Sequence, residues 1–243
     1  MPPESIAAAV LILSVAAFVQ SVSGFGLALV ASAALPLVMP LHDLSALVAV
    51  FNLFVCVVTL WHNRAAFSWS SAWPIALFMG AGIPIGFFFL HRTDPEVLIR
   101  VLGAVLVAIA LFDLRFSPKN DYQLPRWSVA PLGLIGGVAG GAFNVGGPPI
   151  VAYVYSQNWE KARNVAVLQT VFFCAGLTRN VLMGPAGDFT RQLFLVLAWS
   201  AIPAALSIAL GKWMLERIPK QKLRTGVFLF VLAMGAKYLL LGG

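Results

Sequence analysis

Two glycine-rich stretches interrupt apolar sequence, and each has polar neighbours. The first is Ser23-Gly24-Phe25-Gly26, preceded by Gln20 and Ser21; the second is Asn144-Val145-Gly146-Gly147-Pro148-Pro149. Glycine and proline break helices. A break inside a membrane helix leaves N–H groups at the start of the following half-helix, and these must line a cavity or be covered by protein. Such an N-terminus carries partial positive charge and binds anions. Two breaks meeting at the midplane would give one oxyanion site with donors from both halves. Close helix packing through small residues is the competing reading. It has more weight for Gly136, Gly137, Gly140 and Gly141. The site reading has more weight for Gly24, Gly26, Gly146 and Gly147, beside Ser23, Asn144 and Pro148.

Other polar residues inside apolar sequence are Asn52, Gln169, Thr170, Arg179 and Asn180. Polar groups are expensive there and mark function by default. Asn and Gln also serve as hydrogen-bond partners between helices. Arg179 is the basic residue left within a span. It could attract an anion, form an ion pair, or snorkel to the interface. Arg163, beside a predicted helix start, reads as a positive anchor.

The remaining chemistry is sparse. His42, His62 and His91 are spread along the chain without metal-ligand spacing. No nucleotide loop, nucleophile elbow, zinc-protease motif or pair of intramembrane carboxylates is present. Asp43 reads as a helix N-cap, and Asp113, beside Arg115, as an interface pair. Cys56 and Cys174 read as buried free thiols. Trp61, Trp69, Trp73, Trp127, Trp159 and Trp213 fall near predicted span ends, as an aromatic belt.

The elements that position these residues follow from composition. The 243-residue chain is 60% hydrophobic and only 10% charged, with a mean hydropathy of +0.90. A soluble chain is about a quarter charged. A soluble enzyme, a nucleic-acid-binding domain and a disordered chain are excluded. The net charge of +7 fits basic cytoplasmic loops. The first apolar run lacks a basic leader and a cleavage site, so it reads as mature membrane segment.

Hydropathy gives eight blocks, roughly 5–38, 44–62, 72–90, 97–114, 127–156, 164–183, 193–211 and 223–241. Six have the length of one span, about 20 residues. The first and fifth are too long for one crossing and short for two, so each reads as a glycine-broken hairpin, re-entrant or made of two short spans. The chain also reads as a duplication. Gly26 aligns with Gly146, Cys56 with Cys174 and Gly86 with Gly211, and Leu90-His91-Arg92 falls on Leu215-Glu216-Arg217. Asn52 and Thr170 coincide in this alignment. Internal repeats of this kind are typical of secondary transporters.

Lys and Arg test the topology. If each long block crosses once, the loops hold nine basic residues on one side and six on the other. If the long blocks make no net crossing, the split is eleven to four. The larger set is Arg64, Arg115, Lys119, Arg126, Lys161, Arg163, Lys212, Arg217, Lys220, Lys222 and Arg224; the smaller is Arg92, Arg100, Arg191 and Lys237. The second split follows the positive-inside bias better. It makes the halves inverted and puts both termini outside the cytoplasm. Gly103→Val, in an ordinary span, is expected to be much milder than a like change at Gly26 or Gly146.

Gly140-Gly141-Ala142-Phe143-Asn144-Val145-Gly146-Gly147-Pro148-Pro149-Ile150-Val151 resembles the glycine-rich motif of the TauE/SafE family of sulfite exporters. A first copy is Val22-Ser23-Gly24-Phe25-Gly26-Leu27-Ala28-Leu29-Val30, with Pro36 further on. Lys161-Ala162-Arg163-Asn164 resembles the family's short Ala-Arg motif before the next helix. Leu27, Ala28 and Asn144 stand where the family often has glycine. The resemblance covers nearly the whole chain.

It implies an all-α, polytopic transmembrane helical bundle of two inverted repeats, each a glycine-broken hairpin plus three spans. The repeats are 1–115 and 127–243, joined by 116–126. The function implied is secondary transport of a small anion, sulfite or an organosulfonate, by export across the cell inner membrane. The substrate-binding residues expected between the two breaks are Gln20, Ser23, Gly24, Phe25, Gly26, Asn52, Asn144, Gly146, Gly147, Pro148, Gln169, Thr170 and Arg179. Partners are the anion and the lipid bilayer, with no nucleic acid; a homodimer stays open. No cofactor, metal or catalytic residue is expected. The alternative is an integral membrane enzyme or assembly factor, which would need a catalytic or metal cluster at one interface.

Overall fold

The computed structural model describes residues 3–23, 26–62, 64–115, 123–214 and 220–242. Among the described residues there are ten α-helices: α1 (Pro3–Ser23), α2 (Leu27–Ala34), α3 (Leu41–His62), α4 (Trp69–Arg92), α5 (Pro95–Arg115), α6 (Val129–Phe143), α7 (Gly147–Ser156), α8 (Lys161–Ala186), α9 (Arg191–Met214) and α10 (Lys220–Leu241). No strand occurs among the described residues. Gly24, Phe25, Lys119 and Leu215-Glu216-Arg217 lie outside the described residues, as does 116–122 of the connecting segment.

Each hydropathy block becomes a helix or a helix pair. Seven described helices are long and apolar enough to cross a membrane: α1, α3, α4, α5, α8, α9 and α10. The two long blocks become the pairs α1–α2 and α6–α7, and the limbs of each pair pack against one another. The breaks are unequal. Residues 4–23 contain no glycine or proline, so α1 runs unbroken for 21 residues and leaves α2 only 8. In the second block α6 has 15 residues and α7 has 10. The expectation of two short limbs fits the second block better than the first.

The chain forms two compact units. The first comprises Met1–Val48, Thr93–Arg115 and Gly187–Gly243. Here α1 packs on α9, α5 on α10, and α2 on α1 and α10. Gly103 and Gly235 bring α5 and α10 into backbone contact: a Cβ on Gly103 would lie 2.7 Å from the Gly235 carbonyl oxygen. Gly103 is therefore a packing residue, contrary to the expectation that a side chain there would be mild. Arg224 grips Asp113 across the same pair through two hydrogen bonds of 3.0 and 2.5 Å. Asp113 thus pairs across helices with Arg224; the side chain of Arg115, the partner expected from the sequence, lies outside what the structure describes. On α9, Leu195, Trp199, Ile202 and Leu206 form an exposed stripe at helical spacing, as a helix bathed in hydrocarbon requires.

The second unit comprises Ala49–Arg92 and Phe116–Ala186. Here α4 packs on α6 and α8, and α7 on α6 and α8. Gly82 and Gly86 on α4 face Gly137 and Gly141 on α6. A Cβ on Gly82 would lie 2.5 Å from the Leu134 carbonyl oxygen, and one on Gly141 would strike that of Ile83. Small residues at i, i+4 spacing let backbones approach without lipid between them. The packing reading of Gly137 and Gly141 therefore holds.

Each unit draws helices from both chain halves, and the same pairing recurs. The broken helix of one half packs on the fourth helix of the other: α1 on α9, α6 on α4. The aligned residues Gly86 and Gly211 occupy like places. A Cβ on Gly86 would lie 2.7 Å from the Ala142 nitrogen of α6, and one on Gly211 would lie 3.1 Å from the Phe18 carbonyl oxygen of α1.

Candidate functional site

Each glycine break starts a short helix. Gly26 is the N-cap of α2, with φ 110°. A side chain is strained there, so glycine is the residue that makes this turn at low cost. Gln20, buried near the end of α1, accepts a hydrogen bond from the Leu27 N–H through Oε1 at 3.1 Å. Gln20 therefore caps α2 and fixes its start. At the other end of α2, the buried Tyr238 hydroxyl donates to the Ala33 carbonyl at 2.7 Å. The sequence reading missed Tyr238. The signal was present, because a tyrosine within an apolar run needs a partner for its hydroxyl. Ser23 is the last residue of α1.

The second break is built differently. Gly146 is the N-cap of α7 but has φ −72°; the left-handed residue is Asn144, at φ 60°, which closes α6. Asparagine tolerates this region better than other non-glycine residues. Gly146 is glycine for want of space: a Cβ there would strike the Gly136 carbonyl and lie 2.9 Å from the Met79 methyl. Gly147 is different, since its Cβ would meet only the Phe172 ring, at 3.6 Å. Pro148 and Pro149 lie in the first turn of α7, where a missing N–H breaks no helix bond. They also remove two donors from the turn, leaving the N–H groups of Gly147 and Ile150.

Arg179 joins the second break to α8. It is only 3% exposed and lies well inside α8, so it does not snorkel. Its Nη1 donates to the Gly140 carbonyl at 2.8 Å and to that of Gly141. These carbonyls belong to the last turn of α6, the negative end of its dipole. The guanidinium covers oxygens that would repel an anion and adds a full positive charge beside the start of α7. It also lies 6.0 Å from the centre of the Phe87 ring.

The other expected residues are less closely joined to the breaks. Thr170 is buried and donates to Ala166 of its own helix at 2.8 Å. Asn180 likewise donates to Gly176. Gln169 is buried on α8, and Asn52 is half-buried on α3. A separate polar cluster in the first unit pairs His42 with the buried Asp188 at 3.1 Å. It borders a small cavity lined by Asp43, Thr190 and Leu193.

No curated protein and no solved structure gives a match to the chain. The sulfite exporter TauE/SafE family model matches residues 9–238. That span takes in both broken helix pairs, and the chain belongs to this family of membrane transporters.

Proposed function

We propose that this multi-pass transporter exports sulfite or an organosulfonate across the cell inner membrane, with the halves acting as inverted repeats. Each glycine break contributes groups that bind the anion. Arg179 supplies the positive charge. The starts of α2 and α7, with Gly26, Gly146 and Gly147, supply backbone donors and close approach. Gln20 and Pro148 set where those helices begin. Asn52, Asn144, Gln169 and Thr170 complete the polar lining.

The observation that carries this reading is the Arg179 guanidinium on the Gly140 and Gly141 carbonyls. It makes the junction of α6 and α7 attractive to an anion, where bare carbonyl ends would make it repulsive. Export needs no further energy source for a dianion. A negative-inside potential favours its exit by about 2.3 kcal/mol per charge per 100 mV.

Counterflow tests the proposal. Proteoliposomes loaded with unlabelled sulfite should take up labelled sulfite. Competing sulfonates and thiosulfate should rank its specificity. Equal uptake into protein-free liposomes, across the whole panel, rejects the transport reading.

A further inference from the structure

A second cation, Arg163, lies in the second unit, at the opposite end of α8 from Arg179. Arg163 stands in the first turn of α8, sixteen residues or about 24 Å from Arg179 along the helix. Its Nη2 donates to the Ser71 hydroxyl at 2.8 Å. Ser71 lies in the first turn of α4, within a hydroxyl cluster: Ser68 Oγ is 3.0 Å from Ser71 Oγ and 3.3 Å from Ser70 Oγ. The guanidinium also lies over the Trp159 ring at 4.9 Å.

This placement runs against simple electrostatics. The first turns of α4 and α8 both carry positive dipole charge, and a cation there is disfavoured. Neither turn contains an acidic residue. Glu160, just before α8, is exposed, and Arg163 forms no ion pair among the described residues. One donor is also left over: Arg163 Nε is buried without a hydrogen-bond partner. A partly buried cation between two helix N-termini, with an unused donor, lacks its counter-charge.

We propose that Arg163, Ser71 and the first turns of α4 and α8 form a binding site for a small oxyanion, separate from the glycine breaks. For its substrate the proposal rests on the transport reading above: Arg163 belongs to the basic set assigned to the cytoplasm, so the site loads a sulfur oxyanion for export. Sulfite offers three oxygens to the guanidinium, the hydroxyl and the backbone donors.

The test is titration of the purified full-length protein with sodium sulfite and sodium sulfate at constant ionic strength, followed by calorimetry and by tryptophan emission. Emission should respond to the anion in the wild type and lose that response in Trp159→Phe. Arg163→Gln should weaken this binding about tenfold or more, as removal of a charged hydrogen bond does. Arg163→Lys should recover part of it, and Ser71→Ala should cost less than Arg163→Gln. If Arg163→Gln does not fold, the Lys and Ala variants carry the comparison. Wild-type affinity in both of those, or no calorimetric binding by the wild type, overturns the site. Counterflow separates the two proposals. Binding lost in Arg163→Gln, with no wild-type counterflow, leaves the site standing without the transport reading. Normal counterflow with unchanged sulfite half-saturation in Arg163→Gln removes the site and leaves that reading intact.

Discussion

Arg179 and Gly140 are joined by a 2.8 Å hydrogen bond from the guanidinium to the carbonyl. The bond ties α8 to the last turn of α6, just before the left-handed Asn144. Asn144 donates its own N–H to the same Gly140 carbonyl at 3.0 Å. The break is therefore held by a side chain from another helix as well as by its own backbone.

Arg179→Ala should remove the positive charge and expose two buried carbonyls. Transport should fall more than tenfold, and stability by about 1.5–3 kcal/mol, the range for hydrogen bonds to charged groups. Arg179→Lys should fall between Ala and the wild type, because an ammonium keeps the charge but not the planar fork. Transport rates at matched membrane abundance and thermal midpoints in detergent check both. Normal transport in both variants would confine Arg179 to a structural role.

Gly26→Val and Gly146→Val should each abolish transport while the protein still inserts, but for different reasons. At Gly26 the φ of 110° strains any side chain, by about 1–2 kcal/mol. At Gly146 the added atoms meet the Gly136 backbone. Gly226→Val is the matched control, since a Cβ there meets nothing within 4 Å. Gly103→Val should damage the α5–α10 contact and cannot serve as that control. Full transport in either break variant would remove that half from the site.

Asp113→Asn and Arg224→Gln should each loosen the α5–α10 pair, and the double variant should cost less than the sum. A coupling of about 1–2 kcal/mol fits contacting residues in a two-bond pair. A double-mutant cycle on thermal midpoints measures it. Strict additivity would show that the pair contributes nothing.

A C-terminal reporter active only in the cytoplasm should be inactive. The eleven-to-four split rests on α6–α7 making no net crossing. It does not depend on α1–α2, because no Lys or Arg precedes Arg64. Strong cytoplasmic activity would reject the topology, whatever the fate of the first pair.

Hydropathy located α3, α4, α5, α8, α9 and α10, because a membrane span must be continuous and apolar; the full length of α1 was hidden in a block that reads as a broken hairpin. The breaks at Gly26 and Gly146 were legible for a like reason: glycine and proline are costly inside a helix and stand out against leucine and valine. The resemblance to the family rested on those same residues. What the sequence left open was the reason for each glycine. Gly26 is required by its backbone angle, Gly146 by a neighbouring carbonyl, and Gly103 by Gly235, more than a hundred residues away. Arg179, Tyr238 and Arg163 were likewise visible as residues but not as contacts. Their partners, Gly140, Ala33 and Ser71, lie far off along the chain. Only the packing of one helix on another brings such groups together, since a local sequence sets a helix's period and ends but not the face it meets.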